Sequence, residues 1–341
     1  MRGILLINLG SPKKLDLNSV KSYLKEFLSD DLVIDLPKTI QKLLVNLIIL
    51  PVRSKNTLEA YSSIWTKEGS PLIVNTKSIA DALADESQIP VSFAMRYQEP
   101  SISKAIEELC NQGCNDIKVL PLYPHYAMAT SLTTINEVKD IVAREYPHIE
   151  VSFINSFHDG DGYINSLADK ISQYFTDEFD YLLFSYHGIP ERHIRKTDPT
   201  QSHCLQNSNC CSIDSSAKPF CYKAQVLETS RLCAEKLKLD NSRWGVSFQS
   251  RIGPGWLKPF SDITLKELPG QGKKKIAVVC PSFVADNLET LEEIAMEGEE
   301  IFHEAGGKNF TTVPCLNDDP NWVALLAKWI QAWNEKALTL S

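Results

Sequence analysis

The sequence lacks the long apolar runs, basic blocks and glycine fingerprints that assign many chains at once. No stretch approaches the about 20 apolar residues a membrane-spanning helix needs. The nearest, Leu43 to Leu50, is interrupted by Asn46. The expectation is a cytoplasmic protein, soluble or at most attached to one membrane face. Its formal net charge is −8 and no long basic block occurs, which argues against a nucleic-acid partner. No export leader is read: Gly3 to Leu9 is apolar, but Asn8 and Gly10 end it early and no small-residue cleavage site follows. Gly10-Ser11-Pro12 after the first apolar run lacks the further glycines of a dinucleotide fingerprint, and there is no P-loop. No coiled-coil repeat or dimer stripe is visible, so the sequence implies no oligomeric state.

What is present is ordinary in amount and regular in order. The 341 residues are 43% hydrophobic and 23% charged, the balance of a soluble globular enzyme long enough for two domains. Gly3 to Leu9, Pro90 to Met95, Ile117 to Leu122 and Ile149 to Ile154 read as strands, as do Tyr181 to Ser185, Trp244 to Phe248 and Lys275 to Cys280. Segments of helical spacing separate them: Val20 to Leu28, Pro37 to Leu50, Leu58 to Trp65, Ser70 to Ala84 and others, ending in a closing helix from Asn321 to Lys336. Alternating strands and helices predict an α/β fold of two similar doubly wound, Rossmann-like parallel-sheet domains, 1–160 and 161–341, with a cleft between them. The helix at about 37–51 is apolar over more than one face and flanked by Lys38, Lys42, Arg53 and Lys55. It is either a core helix or a lip facing a membrane or ligand.

Four of the nine cysteines crowd into the polar segment 203–221, as Cys204, Cys210, Cys211 and Cys221. Without an export signal, a metal site is a better reading than a disulfide framework. Four thiolates suit zinc and an iron–sulfur cluster equally, and the C-x5-C-C-x9-C spacing matches no common zinc finger.

Several blocks sit just after strands, where open α/β sheets bind ligands. Phe184-Ser185-Tyr186-His187-Gly188-Ile189-Pro190 puts a lone histidine at a strand end. An imidazole there can take up a proton or bind a metal; it can equally be satisfied by loop hydrogen bonds. After Cys280-Pro281 come Phe283, Asp286 and Glu289, and Asp286, Glu289, Glu293, Glu297 and Glu300 recur at helical intervals. This is a solvated acidic face or a carboxylate ladder for a divalent cation or protons. Tyr123, Tyr126, Trp256 and Phe283 would wall a pocket for a flat apolar ligand; singly, each is an ordinary loop-packing aromatic.

Six blocks together resemble the ferrochelatase family: Asn8-Leu9-Gly10-Ser11-Pro12, Met95-Arg96-Tyr97-Gln98-Glu99-Pro100-Ser101-Ile102, Pro121-Leu122-Tyr123-Pro124, Ser185-Tyr186-His187-Gly188-Ile189-Pro190, Phe248-Gln249-Ser250-Arg251 and Asp286-Asn287-Leu288-Glu289-Thr290-Leu291. They stand in the family's order. The resemblance implies a chelatase-type fold and a lyase that inserts Fe(II) into protoporphyrin IX to give protoheme, the last step of heme synthesis. It implies that His187 and Glu289 are the metal and proton-transfer residues and that Phe283 and Asp286 belong to the loop that carries them; a metal or proton path through Asp286 and Glu293 is the carboxylate-ladder reading of the spacing. It implies that Leu9, Arg96, Tyr123, Trp256 and Phe283 line the porphyrin pocket, that Arg53 and Ser70 lie near the porphyrin carboxylates, and that the helix before Pro51 is the pocket's apolar lip. A histidine of animal members stands where this chain has Asn287, so that role does not carry over. Some microbial members carry a 2Fe–2S cluster on four internal cysteines, which would be Cys204, Cys210, Cys211 and Cys221 here. The alternatives are a chelatase for coproporphyrin or another tetrapyrrole, and a non-catalytic heme-binding or redox-sensing protein.

Overall fold

The computed structural model describes residues 1–251 and 253–338. Ile252, inside one of the aromatic blocks, and residues 339–341 of the expected second domain lie outside them. Eight strands form two all-parallel, four-stranded sheets. The first sheet holds β1 (Arg2–Gly10), β2 (Val91–Tyr97), β3 (Asp116–Pro121) and β4 (Glu150–Phe153), in the order β2-β1-β3-β4. The second holds β5 (Tyr181–His187), β6 (Trp244–Gln249), β7 (Lys275–Val279) and β8 (Asn309–Val313), in the order β6-β5-β7-β8. The expected α/β class is therefore present, and the two sheets share one strand order.

The apolar runs become central strands because helices cover both sheet faces. Leu5, Leu6 and Ile7 of β1 are wholly buried, as are Leu182 and Phe184 of β5. Leu5 and Ile7 pack with Ile106 and Leu109 of the helix Ile102–Asn111, and with Val138 of the helix Thr133–Glu145. In the second sheet Leu183, Ile276 and Val278 pack with Leu265, Ile294 and Phe302. In each sheet the chain leaves the first strand to one side and returns to the other. The carboxyl ends of β1 and β3, and of β5 and β7, are thus topological switch points, where such sheets bind ligands.

Several elements differ from the sequence reading, among them the helices Glu191–Thr197 and Ser261–Glu267, which it did not contain. The helices expected at Pro37 to Leu50 and Leu58 to Trp65 are one continuous run from Lys38 to Ile64, with a π-helical stretch at Leu44–Ile49. Pro51 lacks an N–H and its ring crowds the carbonyl of the preceding turn; a widened turn just before it lets the helix continue. The helix expected from Leu288 to Glu304 is π-helical over Glu289–Gly298 and α-helical over Glu299–Glu304. Strand β8 was not anticipated.

The chain divides into two compact units, 1–122 with 128–155 and 317–341, and 123–127 with 156–316. The closing helix, Pro320–Leu338, packs on the helix Pro71–Ser87 of the first unit, and Ser78 Oγ donates to Asp318 at 2.5 Å. The segment Tyr123–Ala127, although it follows β3, groups with the second unit.

Candidate active site

His187 is the last residue of β5, at the switch point of the second sheet. Its Nδ1 lies 2.7 Å from the carbonyl oxygen of Gly188. A carbonyl only accepts, so Nδ1 carries the hydrogen and Nε2 of a neutral ring keeps its lone pair. The Phe283 ring meets the imidazole edge to face, centroids 6.3 Å apart. Gly188 is close-packed: a Cβ there would lie 2.7 Å from the Gln249 carbonyl oxygen and 3.3 Å from the Trp256 ring. Pro190 bridges to Trp256, which fixes that half-buried indole beside the histidine loop.

The acidic helix starts at the end of the loop after β7. Asn287 Oδ1 accepts from the N–H groups of Glu289 and Thr290, at 3.0 and 3.2 Å, and so caps it. Asp286 is buried and turned inward: its Oδ1 accepts from the Thr290 hydroxyl at 3.0 Å and from the Cys315 N–H at 3.2 Å. Glu293 accepts from the Ser250 N–H at 2.6 Å and from the Ser250 hydroxyl. Ser250 sits at φ 61, a left-handed conformation that aims both groups at this carboxylate. Burial pushes the Glu293 carboxyl above its ordinary range and Glu289 adds to this, while Ser250 and His187 pull the other way. Glu293 therefore lies within electrostatic reach of both His187 and Glu289. Burial, then the charges of Glu297, Glu293 and Glu289, raise Glu292 to about 7. A run of carboxylates that resist ionising together is relieved by a proton or by a cation with oxygen ligands.

The remaining expected pocket residues are distributed between the units. Tyr123 is buried in the second unit. Leu9, half-buried on β1, belongs to the first. There Arg53 is exposed, while Ser70 is buried and its hydroxyl has no hydrogen-bond partner among the described residues. Arg96 is committed within the fold. It donates to Asp30 at 2.8 Å and to Thr133 Oγ1 at 3.0 Å, and stands 4.6 Å over the Tyr97 ring. The Tyr97 hydroxyl donates to the same Asp30 oxygen at 2.9 Å. No sequence signal marked Asp30; Ser250 and Ser282 fell inside candidate blocks without a role of their own.

The four clustered cysteines do converge. Cys204, Cys210, Cys211 and Cys221, with His203, line one tight pocket with no room for a water molecule. Cys210 and Cys211 sulfurs are 4.0 Å apart, and none of the four is in a disulfide. Burial pushes the Cys204 thiol up to about 11. Asp198 holds the entry to the segment, its carboxylate accepting from the N–H groups of His203 and Cys204 at 2.9 and 2.8 Å. Burial opposes that charge, but these bonds and those from Thr200 keep Asp198 below the usual carboxylate range. Among the described residues no group of three or more His, Cys, Asp or Glu side chains is placed to hold a metal ion.

The paired parallel sheets are those of a chelatase-type α/β protein. The chain is similar in fold to the structure "SirB from Bacillus subtilis with Fe3+", at TM-score 0.55 and 12% identity over 97% of this chain and 94% of that one. A cobalt complex of the sirohydrochlorin chelatase SirB from Bacillus subtilis subspecies spizizenii matches at TM-score 0.54 and 10% identity, over 95% and 91%. More narrowly, the chain belongs to the ferrochelatase family, whose model matches residues 1–333. It is 43% identical to the ferrochelatase of Opitutus terrae over 97% of both chains. It is 44% identical to that of Pseudomonas fluorescens strain Pf0-1 over 95% of this chain and 96% of the relative. It is thus an enzyme of heme synthesis, a lyase that inserts iron into a porphyrin.

Proposed function

We propose that the substrates are Fe(II) and protoporphyrin IX, and that His187 and Glu289 do the chemistry. The carrying observation is His187 at the strand end with its Nδ1 bonded to Gly188, which leaves Nε2 to accept a pyrrole proton or hold the metal. A free porphyrin is planar and its inner N–H groups block the metal, so the ring must distort before iron can enter. Rigid walls such as Phe283, Trp256 and Tyr123 can hold that distortion, supported by binding energy from the ring's periphery. Glu289 and Glu293 deliver the cation and carry protons away, with Asp286 anchoring the start of that path. Leu9 adds an apolar wall. Arg53 and the unpartnered Ser70 hydroxyl meet the porphyrin carboxylates. Arg96, neutralised by Asp30, shapes the pocket rather than pairing with substrate. The apolar lip favours protoporphyrin over the more acidic coproporphyrin.

By its chemistry the donor set of the cysteine segment suits a 2Fe–2S cluster on Cys204, Cys210, Cys211 and Cys221: four thiols line one tight pocket of a loop with little core of its own, and they would have to rearrange to take it. Such a cluster would brace the loop and could carry one electron. Ile40, Leu43, Leu47, Ile48 and Val52 are each more than half exposed. With Lys38, Lys42, Arg53 and Lys55 they suit a peripheral contact with the cytoplasmic membrane face. No helix among the described residues is long and apolar enough to cross a membrane.

The test pairs turnover with binding. His187→Ala should abolish iron insertion while porphyrin affinity, read by fluorescence titration, stays within about threefold. Near-normal turnover would overturn the assignment. Visible absorption and an equal iron-to-sulfide ratio in the isolated protein test the cluster; their absence counts against it.

A further inference from the structure

We propose that Tyr222 is a positioning residue for His187, and that through it the cysteine segment sets the catalytic loop. The inference rests on the reading of His187 as the reacting side chain. It begins with the ladder of β5. On one side β5 pairs with β6 as far as His187 and Gln249. On the other side its pairing with β7 stops at Phe184 and Val279. Beyond that point the peptide groups flanking the His187 side chain need other partners.

Two side chains supply them. The His187 N–H donates to Ser282 Oγ at 3.2 Å, and the Tyr222 hydroxyl donates to the His187 carbonyl at 2.9 Å. The two hydroxyls are 2.7 Å apart. The tyrosine proton is committed to a carbonyl, which only accepts, so Ser282 must donate to Tyr222. A closed ring results in which every group gives one bond and takes one, the arrangement in which hydrogen bonds reinforce one another. Tyr222 is buried, so no bulk water competes for its hydroxyl.

The ring is tied to the cysteine segment by one peptide bond. Tyr222 follows Cys221 directly and opens the helix Tyr222–Lys236. The same helix holds β5 a second time, where the Tyr186 hydroxyl meets Ser230 Oγ at 2.7 Å. His125 packs its ring against both Tyr186 and Tyr222, at 5.3 and 5.9 Å between centroids. Ordering or loosening of Cys221 therefore moves the first turn of a helix whose first side chain grips the peptide of His187. A loop that bears on the catalytic residue in this way accounts for a thiol-rich insert beside a reaction that needs no thiol.

The experiment compares wild type, Tyr222→Phe, Cys221→Ser and the double variant, with Ser282→Ala as a second route into the ring. Backbone amide exchange is read by mass spectrometry over a peptide spanning 181–190, together with kcat and KM. Tyr222→Phe and Ser282→Ala should each speed exchange at His187 and lower kcat about tenfold or more, with KM for porphyrin within about twofold. Cys221→Ser should speed the same exchange, and the double variant should go no further than Tyr222→Phe alone. Tyr186→Phe, which loses a buried hydroxyl outside the ring, should lower stability without that kcat-only signature. Unchanged exchange in both Tyr222→Phe and Ser282→Ala would overturn the positioning role. Additive effects in the double variant would overturn the link to the cysteines. Exchange requires no turnover, so a wild type that inserts no iron would count against the catalytic reading alone.

Discussion

Gly188→Ala is the smallest change that strains the histidine loop. The added methyl would lie 2.7 Å from the Gln249 carbonyl oxygen, 3.3 Å from the Trp256 ring and 3.7 Å from Phe248 Cβ. The first contact cannot relax by a rotamer change, because that oxygen accepts the Gly188 N–H at 2.8 Å as a rung between β5 and β6. Overpacking of this kind costs about 1–3 kcal/mol, which corresponds to a fall in thermal midpoint of roughly 1–4 °C for a chain of this size. The functional loss should be larger. The Gly188 carbonyl also receives the His187 ring, so displacing it tilts the imidazole, and a shift of about 1 Å at a reacting group costs on the order of a hundredfold in rate. Differential scanning fluorimetry and an anaerobic iron-insertion assay would measure both. A variant with wild-type midpoint and wild-type kcat would refute the close packing of this loop and its role in aiming His187.

The acidic helix predicts a pH effect. Glu292 is raised to about 7 from an ordinary 4.5, so the folded state holds a proton that the unfolded chain releases. Its contribution to stability is full below about 4.5 and is lost as pH rises through about 7. Glu292→Gln should flatten the midpoint-against-pH curve across that window, and an unchanged curve would refute the mutual crowding of these carboxylates. In the first unit, Asp30→Asn should cost on the order of 3 kcal/mol by denaturant titration, because it leaves the largely buried Arg96 guanidinium without its closest anion. A change below about 0.5 kcal/mol, the scale of an exposed pair, would contradict that.

The parts of the fold that could be read from the chain were those where one physical signal dominates. Tyr181 to Phe184 is apolar without interruption because helices cover both faces of its sheet, and a histidine after such a run falls at a switch point by topology alone. Strand β8 escaped because it lies at a sheet edge: Asn309 is exposed and Thr311 and Thr312 are half-buried, so no apolar run marks it. The π-helical stretches escaped because hydrophobic spacing over two turns does not separate a five-residue hydrogen-bond step from a four-residue one. Pro51, an apparent terminator, sits inside a continuous helix for that reason. The convergence of the cysteines was legible from their clustering. The ring joining Tyr222, Ser282 and His187 was not, because its members are 35 and 95 residues from the histidine and polar residues in loops carry no period.

The central claim is that His187, held at the end of β5 with Nε2 unbonded to its own loop, works with Glu289 on a porphyrin and ferrous iron. An anaerobic assay of Fe(II) insertion into protoporphyrin IX and coproporphyrin III, with wild type beside His187→Ala and Glu289→Gln, tests it most directly. The account predicts heme formation by wild type, faster with protoporphyrin IX, and its loss in both variants although porphyrin still binds. Heme formation by His187→Ala at the wild-type rate would contradict it.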